Sequence, residues 1–251
     1  MPDFRPVHTV GAGIAPEWPC GPQMKGRWQD VPPTVIAALQ SQSARDEDRG
    51  AAPLPSPILR MRALALIFYP GWFLVEGLAP YSTDRLGVFA MLLGPNEYVL
   101  LNGTSPAIHM TSHRALDLDG QTRRVDQYLR FFSGAVRGEA GPFWIVEDPV
   151  EVERDFSVSD KARPAVHETV APIRRPRRKG VGYWRVATVL YGGSLFTATF
   201  RIDRTGMVEM VDDTPVSQDT IADPTTYDGC WRVPKTPAGA KSRANQGSTR
   251  H

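Results

Sequence analysis

Two nine-residue segments, Tyr183–Tyr191 and Ser194–Ile202, are separated only by Gly192-Gly193, and nothing else in the chain constrains its fold as tightly. Both segments are dense in aromatic and β-branched residues, which suit a pleated, half-buried surface. Two consecutive glycines supply the positive φ angles that a two-residue primed hairpin turn requires. Such a turn pairs Tyr191 with Ser194 and so fixes every partner behind it. One face then carries Ala187, Val189, Phe196, Phe200 and Ile202. The other carries Trp184, Val186 and Leu190 with Leu195, Thr197, Thr199 and Arg201.

A third apolar run, residues 207–211, follows Asp203, and the length of the connecting loop decides which side chains face inward. A three-residue loop, Arg204-Thr205-Gly206 with Gly206 left-handed, sets Val208 and Met210 beside Ile202 and Phe200 and turns Glu209 away. A four-residue loop would set Glu209 against Phe200 instead. Burying an unpaired carboxylate costs more than any turn preference, so the bulged three-residue loop is expected.

Upstream, the apolar runs 64–69 and 72–76 flank the turn dipeptide Pro70-Gly71, and the runs 88–93 and 98–101 flank Gly94-Pro95-Asn96. Their nearly continuous hydrophobicity predicts strands that are well covered. Between these runs and the C-terminal meander lies one amphipathic helix, residues 121–137. Val125, Tyr128, Leu129, Phe132, Ala135 and Val136 share one side of its 3.6-residue repeat. Asp119 is the expected N-cap and Gly138 the expected left-handed terminator. Pro142 then forces a turn into a strand over 143–147. These elements predict an α+β fold: a mainly antiparallel sheet in one layer, hairpins first and a meander last, with one long helix packed on one face.

Ten of the 23 prolines fall in the first 60 of 251 residues. Proline removes backbone donors and restricts its predecessor, so residues 1–60 are expected to be a mostly disordered arm, with a short helix only at 34–40. Residues 233–251 are expected to be a disordered basic tail, since no acidic side chain occurs from Lys235 onward. A single domain over 61–232 remains, with 149–180 as a long connection rich in proline and charge.

The formal charge is +2, from 29 basic and 27 acidic residues, which marks neither a dedicated nucleic-acid binder nor a partner for strongly acidic surfaces. Two cysteines, Cys20 and Cys230, make no disulfide framework or thiolate metal site, so a reducing, cytoplasmic setting is expected, with no cofactor. The longest uncharged apolar stretch, 63–75, is too short to span a bilayer. Pro70-Gly71 within it, and the lack of a clear small-residue cleavage site, argue against a signal peptide starting at Met61.

Local motifs carry little chemistry. Gly11-Ala12-Gly13 lacks the third glycine and the preceding strand of a dinucleotide-binding loop. Asp117-Leu118-Asp119-Gly120 looks like the opening of the haloacid-dehalogenase phosphatases, but no apolar strand feeds Asp117, so a helix cap is the better reading. His109 and His113 stand four apart, a metal-ligand or acid–base spacing if they lie on a helix, although Pro106 and Thr111-Ser112 speak against one. With Asn102, Thr104 and Ser105 they form the densest polar run beside an apolar strand, the first place to seek a small-molecule site. Arg174, Arg175, Arg177, Arg178 and Lys179 form the one strong basic cluster, a candidate for sequence-independent nucleic-acid contact. Lacking a catalytic motif, the chain reads first as a non-catalytic protein-interaction module that binds another protein or itself through the open face around Trp184 and Leu190, with no membrane partner.

Overall fold

Turn dipeptides and apolar runs become hairpins in a computed structural model that describes residues 16–47, 52–119, 121–176, 180–218 and 220–235. The first half of the chain contains β1 (Gln29–Asp30), α1 (Pro33–Glu47), β2 (Arg60–Ala65), β3 (Phe73–Ser82), β4 (Arg85–Leu93) and β5 (Tyr98–Leu101). Next come α2 (Pro106–Ala115), α3 (Thr122–Ala135), the small ladder β6 (Arg137–Gly138) and β7 (Gly141–Pro142), then β8 (Trp144–Val146). They are followed by α4 (Pro149–Asp155), β9 (Ser157–Val158), α5 (Arg163–Thr169), β10 (Tyr183–Tyr191), β11 (Ser194–Ile202) and β12 (Val208–Ser217). Last are β13 (Ile221–Ala222), β14 (Thr225–Asp228) and β15 (Trp231–Pro234). The fold is α+β, and its paired strands are antiparallel. No helix among the described residues is long and apolar enough to cross a membrane.

The expected single layer is two main sheets. The first runs β1-β2-β3-β4-β15-β14, with β5 also on β4; the second runs β12-β11-β10-β8. They share one core because α3 is apolar on more than the expected stripe. Phe131 is fully buried alongside Val125, Tyr128 and Leu129, while Phe132 is half-buried. Leu74 and Leu92 of the first sheet and Val189, Phe200 and Ile202 of the second belong to that same core. The opposite face of the first sheet buries Ala63, Val75, Phe89 and Met91 under Ile36 and Leu39 of α1. Coverage on both faces explains the continuous hydrophobicity of β3 and β4.

The hairpin reading of the meander holds residue by residue. Tyr191 pairs with Ser194, and Gly192 and Gly193 have φ of 58° and 84°. The loop into β12 is the three-residue one: Gly206 has φ 87°, Ile202 pairs with Val208, Phe200 with Met210, and Glu209 with Arg201. Asp203 Oδ1 fixes this loop by accepting from the amides of Thr205 and Met207 at 2.8 and 3.0 Å.

The helix ends differ from expectation. Gln121 is the N-cap of α3 and has no side-chain cap; Asp119 instead accepts from the Tyr183 hydroxyl at 3.1 Å. Val136 ends the helix by turning extended, which leaves Gly138 free to pair within β6. Of the motif string, Gly120 lies outside the described residues.

Segments expected to lack structure are partly ordered. Residues 1–15 and 236–251 lie outside the described residues, but the chain from Pro16 packs onto the first sheet. Gln23 donates its amide to the buried carboxylate of Glu76 at 2.7 Å. Arg232 donates to the Gly21 carbonyl at 3.1 Å, and the Arg62 guanidinium lies 4.1 Å from the Trp18 ring centroid. The proline-rich segment 16–24 thus gets its backbone partners from the side chains of Glu76 and arginines rather than from a ladder. At the other end, β15 extends to Pro234 and pairs with β4, past the expected boundary. The connection 149–180 contains α4 and α5. Asp148 caps α4 by accepting from the Val150 amide at 2.9 Å. Val152, Val166 and Val170 then bury Leu190 and Leu195.

Candidate functional site

The polar run after β5 is built around local bonds. Asn102 Oδ1 accepts from the Thr104 amide and hydroxyl at 3.1 and 2.8 Å, a self-contained turn. Ser105 is the N-cap of α2 and gives it no side-chain bond. A helix does form here, against expectation, because Pro106 sits in its first turn, where no amide bond is lost. His109 is half-buried with its ring 5.7 Å from that of Phe132, and His113 is exposed. No group of three or more potential metal ligands occurs among the described residues. Neither histidine, nor Asn102, Thr104 or Ser105, lines any of three surface clefts of about 850, 440 and 270 Å³.

What α2 does bury is a hydroxyl network. Ser112 Oγ lies 2.6 Å from the Tyr69 hydroxyl, and Tyr128 donates to the Gly206 carbonyl at 2.6 Å. Burial pushes the Tyr69 phenol up to about 12 and raises that of Tyr128 as well. These groups stay neutral and tie α2 and α3 to the β11–β12 loop.

In the basic cluster, Arg174 makes an isolated antiparallel bridge with Val186, and Arg175 borders the 440 Å³ cleft near Tyr183 and Trp184. Arg177, Arg178 and Lys179 lie outside the described residues. The meander face around Leu190 and Leu195, expected to be open, is closed at those two residues, which are 2% and 0% exposed under α4 and α5.

The surface left open is the neighbouring strand. β12 ends the order of the second sheet, and no strand among the described residues pairs with its outer edge. Residues 209–215 are all exposed, on both faces of the strand. Met207, Met210 and Val211 are 51%, 37% and 37% exposed. Acidic Glu209, Asp212 and Asp213 interleave with them; Glu209 pairs with Arg201 at 2.6 Å. Two register irregularities, at Leu195/Phe196 and Thr199/Phe200, interrupt the pairing of β12 with β11. The strand continues beyond the apolar run 207–211 through Asp212-Asp213 and Pro215 to Ser217. Both residue types are at home on an edge strand.

A second concavity, the 850 Å³ cleft, opens beside the Gly192-Gly193 turn. Its apolar lining comes from Trp144, Val158, Leu190 and Ile221, and its polar lining includes Lys161, Lys235 and Asp223. The Asp223 carboxylate is already engaged: it accepts from Trp144 Nε1 at 3.0 Å, the Tyr227 hydroxyl at 2.7 Å and the Thr225 amide at 2.8 Å. No family model, curated protein or solved structure matches this chain.

Proposed function

We propose that this protein is a non-catalytic interaction module that captures an extended, basic segment of a partner protein along the outer edge of β12. One observation carries the reading: a ten-residue strand that ends its sheet and is solvent-exposed from 209 to 215. Such an edge offers unpaired amides and carbonyls to an added strand, and side chains at alternate positions then select the partner.

Charge favours a basic partner over a second copy. Antiparallel self-pairing centred on β12 brings Asp212 of each copy opposite Asp213 of the other, which is unfavourable. A segment alternating lysine or arginine with aliphatic residues can meet Glu209 and Asp212, which share one face of β12, with cations and cover Met210 on the other. The interface is small, so affinity near the micromolar range is expected. In this reading the protein works in the cytoplasm, where Cys20 and Cys230 remain thiols.

The test uses two labelled heptapeptides, one alternating lysine with valine and one alternating glutamate with valine. The lysine peptide should bind at least tenfold tighter and slow hydrogen exchange at residues 209–214. The double variant D212K/D213K should reverse the preference. If neither peptide is preferred, or protection appears elsewhere, the reading is wrong.

A further inference from the structure

We infer that the cleft beside the Gly192-Gly193 turn is a binding site for a small organic anion, one with an aromatic or branched apolar body and a carboxylate or phosphate head. The site is separate from the β12 edge and stands independently of the function proposed for it.

Three observations point to this ligand class. The first is shape: about 850 Å³ lies within the range of about 300–1,000 Å³ typical of small-molecule pockets. The second is the floor. Leu190 and Ile221 are buried to 2% exposure, and the Trp144 ring is only half-buried, with its edge fixed by the Asp223 bond. The fixed, half-covered indole is the apolar surface left open, and it suits a flat apolar body.

The third is an imbalance of donors over acceptors. Asp223 is the one carboxylate lining the cleft, and three donors already occupy its oxygens. Burial and the neighbouring carboxylate both raise the Tyr227 phenol, so Tyr227 stays a neutral donor to Asp223. Lys161 makes no hydrogen bond or ion pair among the described residues. Lys235 donates to the Asp223 main-chain carbonyl at 2.8 Å, which places its ammonium at the rim without neutralising it. Ser157 and Ser159 add hydroxyls on the Lys161 side. Two cations and hydroxyl donors therefore face a space whose single anion is already satisfied. An anion gains charge-assisted hydrogen bonds from these donors that a cationic or purely apolar ligand does not.

The cleft is assembled from β8, β9, β10, β13 and the chain after β15, so its lining spans residues 140–235 and has no local sequence signature. Its shape is held by main-chain bonds: the amides of Thr220 and Ile221 both donate to the Gly193 carbonyl at 3.1 Å.

Calorimetric titration of the whole chain with 1-naphthyl phosphate, 1-naphthoate and 1-naphthol tests the assignment. At least one anion should bind at least tenfold tighter than the neutral alcohol, and the tighter of the two distinguishes a phosphate from a carboxylate head. K161E and K235E, both at exposed positions, should each weaken that anion at least tenfold while leaving the thermal unfolding midpoint and the β12 peptide preference in place. Equal affinity for 1-naphthol, affinity unchanged in both variants, or no binding of either anion at millimolar concentration overturns the inference.

Discussion

Replacing Glu76 with glutamine should destabilise the protein by about 3–5 kcal/mol, the range for removing one partner of a buried ion pair. Glu76 lies on β3 with none of its surface exposed, between two guanidinium groups whose side chains are 12% (Arg62) and 7% (Arg232) exposed. Its two oxygens accept from Arg62 Nε at 2.6 Å, Arg232 Nη2 at 2.6 Å and the Gln23 amide at 2.7 Å. Glutamine keeps the shape and one acceptor oxygen, but it turns the other oxygen into a donor facing an arginine and leaves two buried cations without an anion. At about 2–4 °C per kcal/mol for a chain of this size, the melting midpoint should fall by roughly 6–20 °C. The consequence should be local as well as global. Arg62 and Arg232 also donate to the carbonyls of Cys20 and Gly21, so once they shift, trypsin should cut at Lys25 and Arg27 earlier than in the wild type. Circular dichroism melts and timed proteolysis read the two effects. A triple variant, R62M/E76M/R232M, should recover much of the midpoint, because an apolar trio avoids the desolvation cost, yet leave residues 17–24 unpinned. An E76Q stability within about 1 kcal/mol of wild type would refute the account of how this segment is held.

Gly206 has φ 87°, and a Cβ built there meets Tyr128 Oη at 2.6 Å and Leu116 Cδ2 at 2.8 Å, so G206A should cost at least about 2 kcal/mol in urea unfolding. L195A removes a fully buried side chain beneath α4 and α5; a loss of about 2–5 kcal/mol, with faster amide exchange in both helices, is expected if they cover the meander. Burial raises the Glu147 carboxyl, but the two-point Arg130 bond and the Ile173 amide outweigh it and hold the group below its usual 4.5. The stability from this shift is present above the unfolded value and is lost as pH falls through the lower, folded one. E147Q should therefore flatten the loss of stability below pH 4.5, and an unchanged acid profile would count against the pairing.

The hairpins were legible because each is fixed by adjacent residues. Gly192-Gly193 set nine pairs, and the charge of Glu209 chose between two loop lengths. The N-terminal segment was not legible, because its backbone partners are the side chains of Arg62 and Arg232, 42 and 211 residues away from the carbonyls they bind. Proline content reports the absence of a ladder, which is true of residues 16–24; it does not report arginines approaching from elsewhere. The hairpin of β14 and β15 did leave a signal, Asp228-Gly229, with Gly229 at φ 52°, but its strands are half polar and show no apolar run, and Val233-Pro234 fall in the expected tail. Without β15 returning to β4, nothing in the sequence separates one layer from two sheets. Of the candidate residues, His109 and His113 stood out by local polarity. The cleft draws one or two residues from each of β7, β8, β9, β10 and β13, and only folding brings them together.

The β12 edge belongs to the second sheet and the cleft borders that sheet at β8 and β10, a placement that follows from how the first sheet is completed. Its two faces are covered, and the strands ending it, β1 and β14, have two and four residues. Short edges of that kind discourage pairing. β12 is long, yet it carries Asp212, Asp213 and Pro215, which also guard an edge against indiscriminate addition. Guarding and docking make opposite demands on the same carboxylates: a guard repels every strand, whereas a dock admits a basic one. D212A/D213A separates them. If the acids only guard, the wild type ignores both heptapeptides, and the variant gains mass in light scattering as concentration rises. If they dock, the wild type takes the lysine peptide, and the variant loses that preference at any concentration. Wild-type indifference together with variant self-association would give β12 the guard's role and remove the interaction module.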